Sequence, residues 1–181
     1  GSGKTAAFGL GLLEGINPRF FGVQALILCP TRELADQVAN ELRRLARCIP
    51  NIKLVVLCGG KPLRAQADSL HHGAHIVVGT PGRIKDLLSR ETLELKGLKT
   101  LVLDEADRML DMGFQEEIDH IVRNIPQQRQ TLLFSATYPT AIKKMCRAIQ
   151  QDPLTVKVDV EHHTDVIEQH FYEVAYAENA E

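Results

Sequence analysis

The chain has 181 residues, 44% hydrophobic and 24% charged, which is typical of one globular α/β domain with a sizeable core. Its formal net charge of −2 excludes recognition of nucleic acid by bulk charge, so any such partner must bind a local patch. No apolar stretch approaches the length of a membrane span, and we expect no membrane partner. The cysteines are too far apart for a disulfide framework or a zinc site, and we expect buried thiols in a reducing cytosol: Cys29, Cys48, Cys58 and Cys146.

The first five residues, Gly1-Ser2-Gly3-Lys4-Thr5, have the composition of the end of a phosphate-binding loop. In such a loop, backbone N–H groups at a helix N-terminus bind phosphate oxygens, the lysine binds the outer phosphates, and the hydroxyl can ligate Mg²⁺. A loop of this kind normally follows a buried strand. We therefore expect a fragment that begins inside its own loop, with a sheet that lacks the preceding strand.

Short apolar runs alternate with amphipathic runs along the chain, which predicts strands buried on both faces and connected by helices. The predicted strands cover residues 23–29, 53–57, 75–79, 100–103, 131–134 and 154–158. Helices are predicted after Thr31, across residues 118–125, and after Pro81 and Pro139. This alternation predicts a three-layer α/β fold whose parallel strands present ligands at their carboxyl ends.

Two predicted strand–helix junctions carry the same chemistry, Pro30-Thr31-Arg32 and Thr80-Pro81-Gly82-Arg83. Each places a hydroxyl, backbone N–H groups and an arginine at the ligand-bearing edge, which suits a sugar–phosphate backbone. Alternatively, the threonines cap the helices and the arginines are solvated or paired with Glu33 or Asp86. The repetition favours nucleic acid. Between the junctions, Gly59-Gly60 allows close approach of a second backbone, although a plain turn fits equally well.

The run Asp104-Glu105-Ala106-Asp107 follows an apolar strand. A P-loop ATPase needs this arrangement, with one carboxylate toward the metal and the next free to orient or deprotonate a water. Paired with the loop at residues 1–5, it predicts nucleotide hydrolysis rather than a turn before an acidic helix. Ser135-Ala136-Thr137 follows the next strand, so its hydroxyls would bond Asp107, cap the helix after Pro139, or do both.

Six motifs resemble, in order and spacing, the first RecA-like domain of DEAD-box ATP-dependent RNA helicases. They are Gly-Ser-Gly-Lys-Thr at 1–5, Pro-Thr-Arg-Glu-Leu-Ala at 30–35, Gly-Gly at 59–60, Thr-Pro-Gly-Arg at 80–83, Asp-Glu-Ala-Asp at 104–107 and Ser-Ala-Thr at 135–137. The resemblance implies a three-layer RecA-like P-loop domain with a mostly parallel sheet, truncated at its N-terminus. It implies that this domain covers residues 1–158, and that residues 159–181 are a linker and the start of a second RecA-like domain.

The same resemblance implies ATP and Mg²⁺ as cofactors and assigns their binding residues. Lys4 and Thr5 would bind the phosphates and Mg²⁺, completed by Gly1, Ser2 and Gly3 of the loop. Asp104 would hold the metal through water, and Glu105 would polarise the attacking water, so Glu105, Lys4 and Asp104 form the implied catalytic set.

Two further groups of residues follow from the resemblance. Asp107 with Ser135 and Thr137 would couple the nucleotide state to RNA binding. The RNA backbone would be held by residues at three strand ends, so that one strand is bent out of duplex geometry: Thr31, Arg32, Gly60, Thr80, Gly82 and Arg83.

Within the family, segments 5–13, 28–38 and 107–114 are most similar to bacterial members that assist assembly of the large ribosomal subunit. The implied partner is therefore RNA, specifically ribosomal RNA, in the cytoplasm. The second RecA-like domain would act in cis and supply arginine fingers, worth about 10³–10⁵ in turnover, so the fragment alone should be nearly inactive. Two alternatives stay open: an ATP-gated RNA clamp that does not unwind, and a DNA-directed P-loop ATPase.

Overall fold

The computed structural model describes residues 3–157. The chain divides into two compact units, Gly1–Gln151 and Asp152–Glu181, and the first contains every strand and helix named below. Its strands are β1 Ala25–Leu28, β2 Leu54–Leu57, β3 Ile76–Gly79, β4 Thr100–Leu103 and β5 Gln130–Leu133. Its helices are α1 Lys4–Glu14, α2 Arg32–Leu45, α3 Leu63–Leu70, α4 Pro81–Ser89, α5 Ala106–Asp111, α6 Gln115–Arg123 and α7 Thr140–Ile149.

The five strands form one sheet in the order β2-β3-β1-β4-β5, and every neighbouring pair is parallel. The prediction of a parallel α/β sheet is confirmed. Parallel strands require crossover connections, and here each crossover includes at least one helix. The strand order reverses at β1, which pairs with β3 on one side and β4 on the other. A crevice outside the carboxyl ends of the strands is expected at such a reversal.

Alternate side chains of β1 separate the core into two layers, because successive residues of a strand point to opposite faces. Ala25 and Ile27 pack in the layer that contains residues of α1 and α2. Leu26 and Leu28 pack in the other layer, with residues of α4, α5, α6 and α7. All of β1 is buried, as expected for the central strand of a three-layer fold.

Within residues 3–157, β2 and β5 are the two edges of the sheet. β5 is only half-buried, whereas β1 and β3 are fully buried. An additional strand upstream of the phosphate loop stays a prediction, because it would precede the sequence.

The strand predicted at 154–158 is wrong for its described part. Residues 154–157 form no strand, and Leu154 and Val156 are 90% and 77% exposed. Apolar alternation predicts a strand only when one face is buried, and here that condition fails. Residue 158, the predicted linker and the predicted strand within 159–181 lie outside the described residues.

Helix α3 has no counterpart among the helices predicted from apolar periodicity. Its one buried residue is Gln66, while Leu63 and Leu70 are only partly buried against the core. A helix whose buried position is polar gives no apolar stripe, so periodicity cannot reveal it.

The cysteines only partly follow the expectation of buried thiols. All four are free, and Cys29, Cys58 and Cys146 are buried, but Cys48 is exposed at the end of a short 3-10 turn, Ala46–Cys48.

Over the described range, no helix is both long and apolar enough to cross a bilayer, and the longest, α2, has 14 residues.

Gly79, the last residue of β3, should tolerate no side chain. A Cβ there would collide with the backbone oxygen of Leu57 and lie 2.8 Å from Ile84 Cδ1. We expect Gly79→Ala to lower the free energy of unfolding by about 1–3 kcal/mol, the range for overpacked cores, measured by urea denaturation. Gly11→Ala is the control, because Gly11 lies on the exposed face of α1 and nothing lies within 4 Å of its Cβ position. It should raise stability by up to about 1 kcal/mol. Equal effects of the two changes would contradict this packing.

Candidate nucleotide and nucleic-acid site

The residues that the sequence predicts for the site follow strands or begin helices at one edge of the sheet. Lys4 and Thr5 begin α1, and the other predicted residues follow β1, β2, β3, β4 and β5. Because all five strands are parallel, their carboxyl ends meet at this edge. Gly1 and Ser2 lie outside the described residues.

The phosphate-loop end is formed by Gly3 and the first turn of α1. Gly3 has φ +67°, a left-handed conformation that glycine adopts without strain and that precedes the first helical residue, Lys4. The first turn contains no acidic residue, so the free N–H groups and the positive end of the helix dipole are available to an anion. Lys4 Nζ lies 3.8 Å from Asp104 Oδ1, and Thr5 is half-buried on the same turn.

Asp104 follows directly after β4 and is 7% exposed. Its N–H donates to the Leu28 carbonyl at 3.0 Å, which joins the ends of β4 and β1. Its Oδ1 is buried and accepts no hydrogen bond from any residue of the described range. Burial raises the pKa of Asp104, the Lys4 ammonium opposes this rise, and the Glu105 carboxylate adds to it. This carboxylate oxygen has free lone pairs for a cation or a water.

Glu105 has φ 54° and ψ 52°, the left-handed region that costs a non-glycine residue about 1–2 kcal/mol. Strain of this kind in a non-glycine residue marks candidate functional positions. The backbone turns sharply between β4 and α5, and the Ala106 N–H then donates to the Phe134 carbonyl after β5. Glu105 Oε2 accepts a hydrogen bond from Arg108 Nη1 at 3.2 Å, which limits the rotation of the carboxylate. The sequence prediction did not include Arg108, although its i+3 spacing from Glu105 is the available signal.

Asp107, Ser135 and Thr137 come together as the motif spacing predicts. Asp107 Oδ2 accepts from both the N–H and the hydroxyl of Thr137, each at 2.9 Å. Ser135 Oγ donates to the Thr137 carbonyl at 2.7 Å. Burial alone would raise the pKa of Asp107, but hydrogen bonds from Thr137 and the Arg108 N–H, together with the nearby Ser135 hydroxyl, outweigh it and lower that pKa. The N-cap position of α7 is Pro139, so Thr137 bonds Asp107 rather than capping this helix.

At the first junction both interpretations of the sequence are partly realised. Thr31 Oγ1 accepts from the Leu34 N–H at 3.3 Å and so caps α2. Arg32 Nη2 lies 3.5 Å from Glu33 Oε1, an exposed pair that contributes little to stability. The Arg32 Nη1 atom also lies close to Gly60, 3.2 Å from where a Cβ on that glycine would be.

The second junction differs from the first. Thr80 is the N-cap residue of α4 without a side-chain capping bond, and Gly82 has open space around its Cβ position. Arg83 does not pair with Asp86, which binds Arg90 instead. Its Nη1 and Nη2 both donate to the carbonyl of Lys61, at 3.1 and 3.2 Å. Arg83 therefore supports the loop after β2, a backbone contact that side-chain patterns cannot reveal.

Cys29, directly after β1, is a buried thiol behind the two carboxylates. Burial raises its pKa, and the charges of Asp104, Cys58 and Glu105 raise it further, so the thiol stays protonated. The uncharged thiol adds no negative charge to this part of the site. The sequence indicated only that this cysteine would be buried.

An all-parallel sheet with a free helix N-terminus, a lysine and a buried carboxylate at its carboxyl edge defines a nucleotide-binding α/β domain of the RecA-like type. The family model described as DEAD/DEAH box helicase matches residues 1–145. The chain therefore belongs to the DEAD/DEAH box helicase family.

The relatives agree with this family. The chain is 59% identical over 175 residues to the ATP-dependent RNA helicase DbpA of Escherichia coli strain K12, covering 97% of this chain and 38% of that protein. It is 47% identical over 175 residues to the DEAD-box ATP-dependent RNA helicase CshA of Streptococcus pneumoniae, covering 96% and 33%. A solved DEAD box protein from Methanococcus jannaschii has TM-score 0.80 and 45% identity over 84% of this chain and 41% of that chain. The chain thus spans well under half of these relatives.

Replacing Asp104 with Asn should stabilise the protein at neutral pH. The folded-state pKa of Asp104 is raised, so the unfolded chain binds fewer protons above about pH 4 and ionisation there favours unfolding. The uncharged amide removes this penalty. Urea denaturation at pH 7 should therefore give a larger free energy of unfolding for Asp104→Asn, and the gain should shrink below about pH 4. A variant less stable than the wild type at pH 7 would contradict the unfavourable burial of this charge.

Proposed function

We propose that this chain is the first RecA-like domain, at residues 1–158, of an ATP-dependent RNA helicase that couples ATP hydrolysis to RNA binding and local duplex separation. The observation that carries the proposal is the buried Asp104 oxygen without a hydrogen bond, 3.8 Å from Lys4 and next to the strained Glu105. DbpA and CshA are named ATP-dependent RNA helicases, which supports ATP as the nucleotide and RNA as the polymer.

ATP would bind with its phosphates at the start of α1. The N–H groups of that turn and the Lys4 ammonium would neutralise the phosphate oxygens, and Gly1, Ser2 and Gly3 would complete the loop. The carboxylate of Asp104 and the hydroxyl of Thr5 are the hard oxygen donors that Mg²⁺ prefers, and the free Asp104 oxygen fits that ion. Held by these residues, Mg²⁺ would supply positive charge that neutralises the transferred phosphoryl group.

Glu105 is the residue that would orient and polarise the attacking water. Its carboxylate is about one-third exposed, so a water can reach it, and the Arg108 contact limits its rotation. The protonated Cys29 thiol adds no further negative charge to those of Glu105 and Asp104. Lys4, Asp104 and Glu105 thus have separate roles: phosphate binding, metal binding and activation of water.

RNA would bind along the ends of β1, β3 and β2, which are neighbours in the sheet. The proposed contacts are to phosphates and sugars, so they carry no base specificity. Arg32 would supply charge, and Thr31, Gly60, Thr80 and Gly82 would supply hydroxyl and backbone groups. Arg83 would act beside them, because its guanidinium binds the loop that contains Gly60.

The target is proposed to be ribosomal RNA in the cytoplasm, in assembly of the large ribosomal subunit. This part rests on the 59% identity to DbpA together with the resemblance of segments 5–13, 28–38 and 107–114. Residues 159–181 would be the linker and the start of a second RecA-like domain, whose arginine fingers complete the ATP site in cis.

Replacing Glu105 with Gln in the full-length parent should lower ATP turnover at least about 100-fold, the scale of general-base catalysis. Binding of ATP and of RNA should persist, because the amide keeps the shape and the Lys4 and Asp104 contacts. Steady-state ATPase assays with and without single-stranded RNA and a large-subunit rRNA fragment measure this. Glu116→Gln, on the exposed first turn of α6, is the matched control. Unchanged turnover in Glu105→Gln would remove the assigned role.

The same assay distinguishes the alternatives. ATP turnover stimulated by RNA, together with strand displacement, supports the helicase. Stimulation without displacement identifies a clamp, and stimulation by DNA rather than RNA identifies a DNA-directed ATPase.

Replacing Asp107 with Asn should uncouple the two sites. The charged acceptor of the two Thr137 bonds is lost, and RNA stimulation of ATP turnover should fall about tenfold, the size expected for charge-assisted hydrogen bonds. The measurement is the ratio of turnover with saturating RNA to turnover without RNA. Asp119→Asn on α6, a half-buried carboxylate bound to Gln115, should leave that ratio unchanged. A normal ratio in Asp107→Asn would contradict the coupling role.

A further inference from the structure

Gln66, the one buried residue of α3, lies against the loop that contains Gly59 and Gly60. Its side-chain Nε2 donates to the Cys58 carbonyl at 2.8 Å and makes a longer contact with the Lys61 carbonyl at 3.5 Å. One amide group therefore contacts both ends of the Gly59–Gly60 turn.

The orientation of this amide is determined by its surroundings. A flipped side chain would place the amide oxygen against two carbonyl oxygens, where it could accept nothing. The residue is 5% exposed, and its Oε1 is buried without a hydrogen-bond partner in the described part of the chain. An apolar side chain of similar size would avoid this unsatisfied oxygen, so the glutamine is a poor choice for stability alone.

The loop held by Gln66 has a specific conformation. Gly60 has φ +76°, and the Arg32 guanidinium lies directly beside it. Arg83 donates twice to the Lys61 carbonyl, and the Lys61 ammonium lies 3.9 Å from Asp36 on α2. Of these side chains, only Gln66 binds the Cys58 carbonyl. At Lys61, Arg83 binds the carbonyl and Asp36 pairs with the ammonium.

We propose that Gln66 is a positioning residue for RNA binding. By holding the Cys58 carbonyl, it keeps the Gly59–Gly60 turn in the conformation in which Gly60 is left-handed, leaves room for Arg32 and is presented with Arg32 to one backbone phosphate. The Cβ position of Gly59 is open, so a nucleic-acid strand can approach the turn from that side. This inference rests on the proposed RNA-binding function.

The chain offers a matched control in Gln24, a second buried glutamine. It is 1% exposed, its Oε1 accepts from the Asn17 N–H, and its Nε2 donates to the carbonyls of Asn17 and Phe20, each at 2.9 Å. Gln24 directly precedes β1, so the loop that it holds lies at the amino edge of the sheet, opposite the site. Removal of either amide costs buried hydrogen bonds, but only Gln66 contacts the glycine loop.

The test uses the full-length parent with Gln66→Met, Gln66→Glu and Gln24→Met. Fluorescence anisotropy with a labelled single-stranded RNA and a non-hydrolysable ATP analogue gives RNA affinity, and a labelled nucleotide without RNA gives nucleotide affinity. We expect Gln66→Met to weaken RNA binding about tenfold, the loss of one or two well-placed contacts, with nucleotide affinity within about twofold. Gln66→Glu should weaken RNA binding further, because its carboxylate faces carbonyl oxygens. Gln24→Met should keep RNA affinity while lowering Tm more than Gln66→Met does, because it removes three good hydrogen bonds and Gln66→Met removes one good bond together with an unsatisfied oxygen.

Either of two affinity results would overturn the inference: wild-type RNA affinity in Gln66→Met, or parallel losses of RNA and nucleotide affinity in both methionine variants. Hydrogen exchange provides a readout at the loop itself, since Gln66→Met should accelerate exchange at residues 59–61 and leave β4 protected. Unchanged exchange there would also count against it. Arg32→Ala distinguishes failure of the Gln66 positioning role from failure of the proposed RNA binding. If it weakens RNA binding and Gln66→Met does not, the positioning role fails while the proposed function stands. If the wild type binds no RNA, the proposed function itself fails.

Discussion

The buried carboxylate of Asp104 is the constraint on which the rest of the site depends. A charge in a poorly solvated position is unfavourable unless an opposite charge or hydrogen bonds compensate it. Here the compensation is incomplete, because Lys4 approaches only to 3.8 Å and Oδ1 accepts no described hydrogen bond. The backbone around it is held by hydrogen bonds to the Leu28 and Phe134 carbonyls, which join the ends of β1, β4 and β5. The fold thus retains an incompletely compensated carboxylate at the carboxyl edge of the sheet.

The candidate site residues lie in two groups, one on each side of β1 in the sheet. On the β4 and β5 side lie the carboxylates and the Asp107–Thr137 contact, and on the β3 and β2 side lie the glycine loop and the two arginines. β1 belongs to both, since its end contacts Asp104 through Leu28 and leads directly into Thr31. In the proposed function, a movement on the nucleotide side would reach the RNA side through β1, one short and fully buried strand. This contiguity is a physical route for coupling that is separate from the Asp107–Thr137 contact, which joins the ends of β4 and β5.

The sequence predicts the features that depend on burial and spacing, and it misses those that depend on backbone acceptors. All five strands of the sheet were predictable because each is an apolar run between turn residues. The cap at Thr31 and the contact of Asp107 with Thr137 were also predictable from motif spacing. The binding of Arg83 to a carbonyl oxygen was not, because any residue supplies that acceptor. The apolar alternation after residue 153 led to a wrong strand prediction, because an alternating pattern does not reveal whether another element buries its apolar side chains.

The distribution of thiols has a practical consequence for studying this chain. Cys29, Cys58 and Cys146 are buried, and burial raises the pKa of both Cys29 and Cys58, so they offer little thiolate to an alkylating reagent. Cys48 is exposed on the turn that follows α2, at the amino edge of the sheet. A maleimide dye would therefore attach to the native sequence at one position, remote from the strand ends that contain the site. Distances between that dye and a labelled RNA could then be followed without removing any of the four cysteines of this chain.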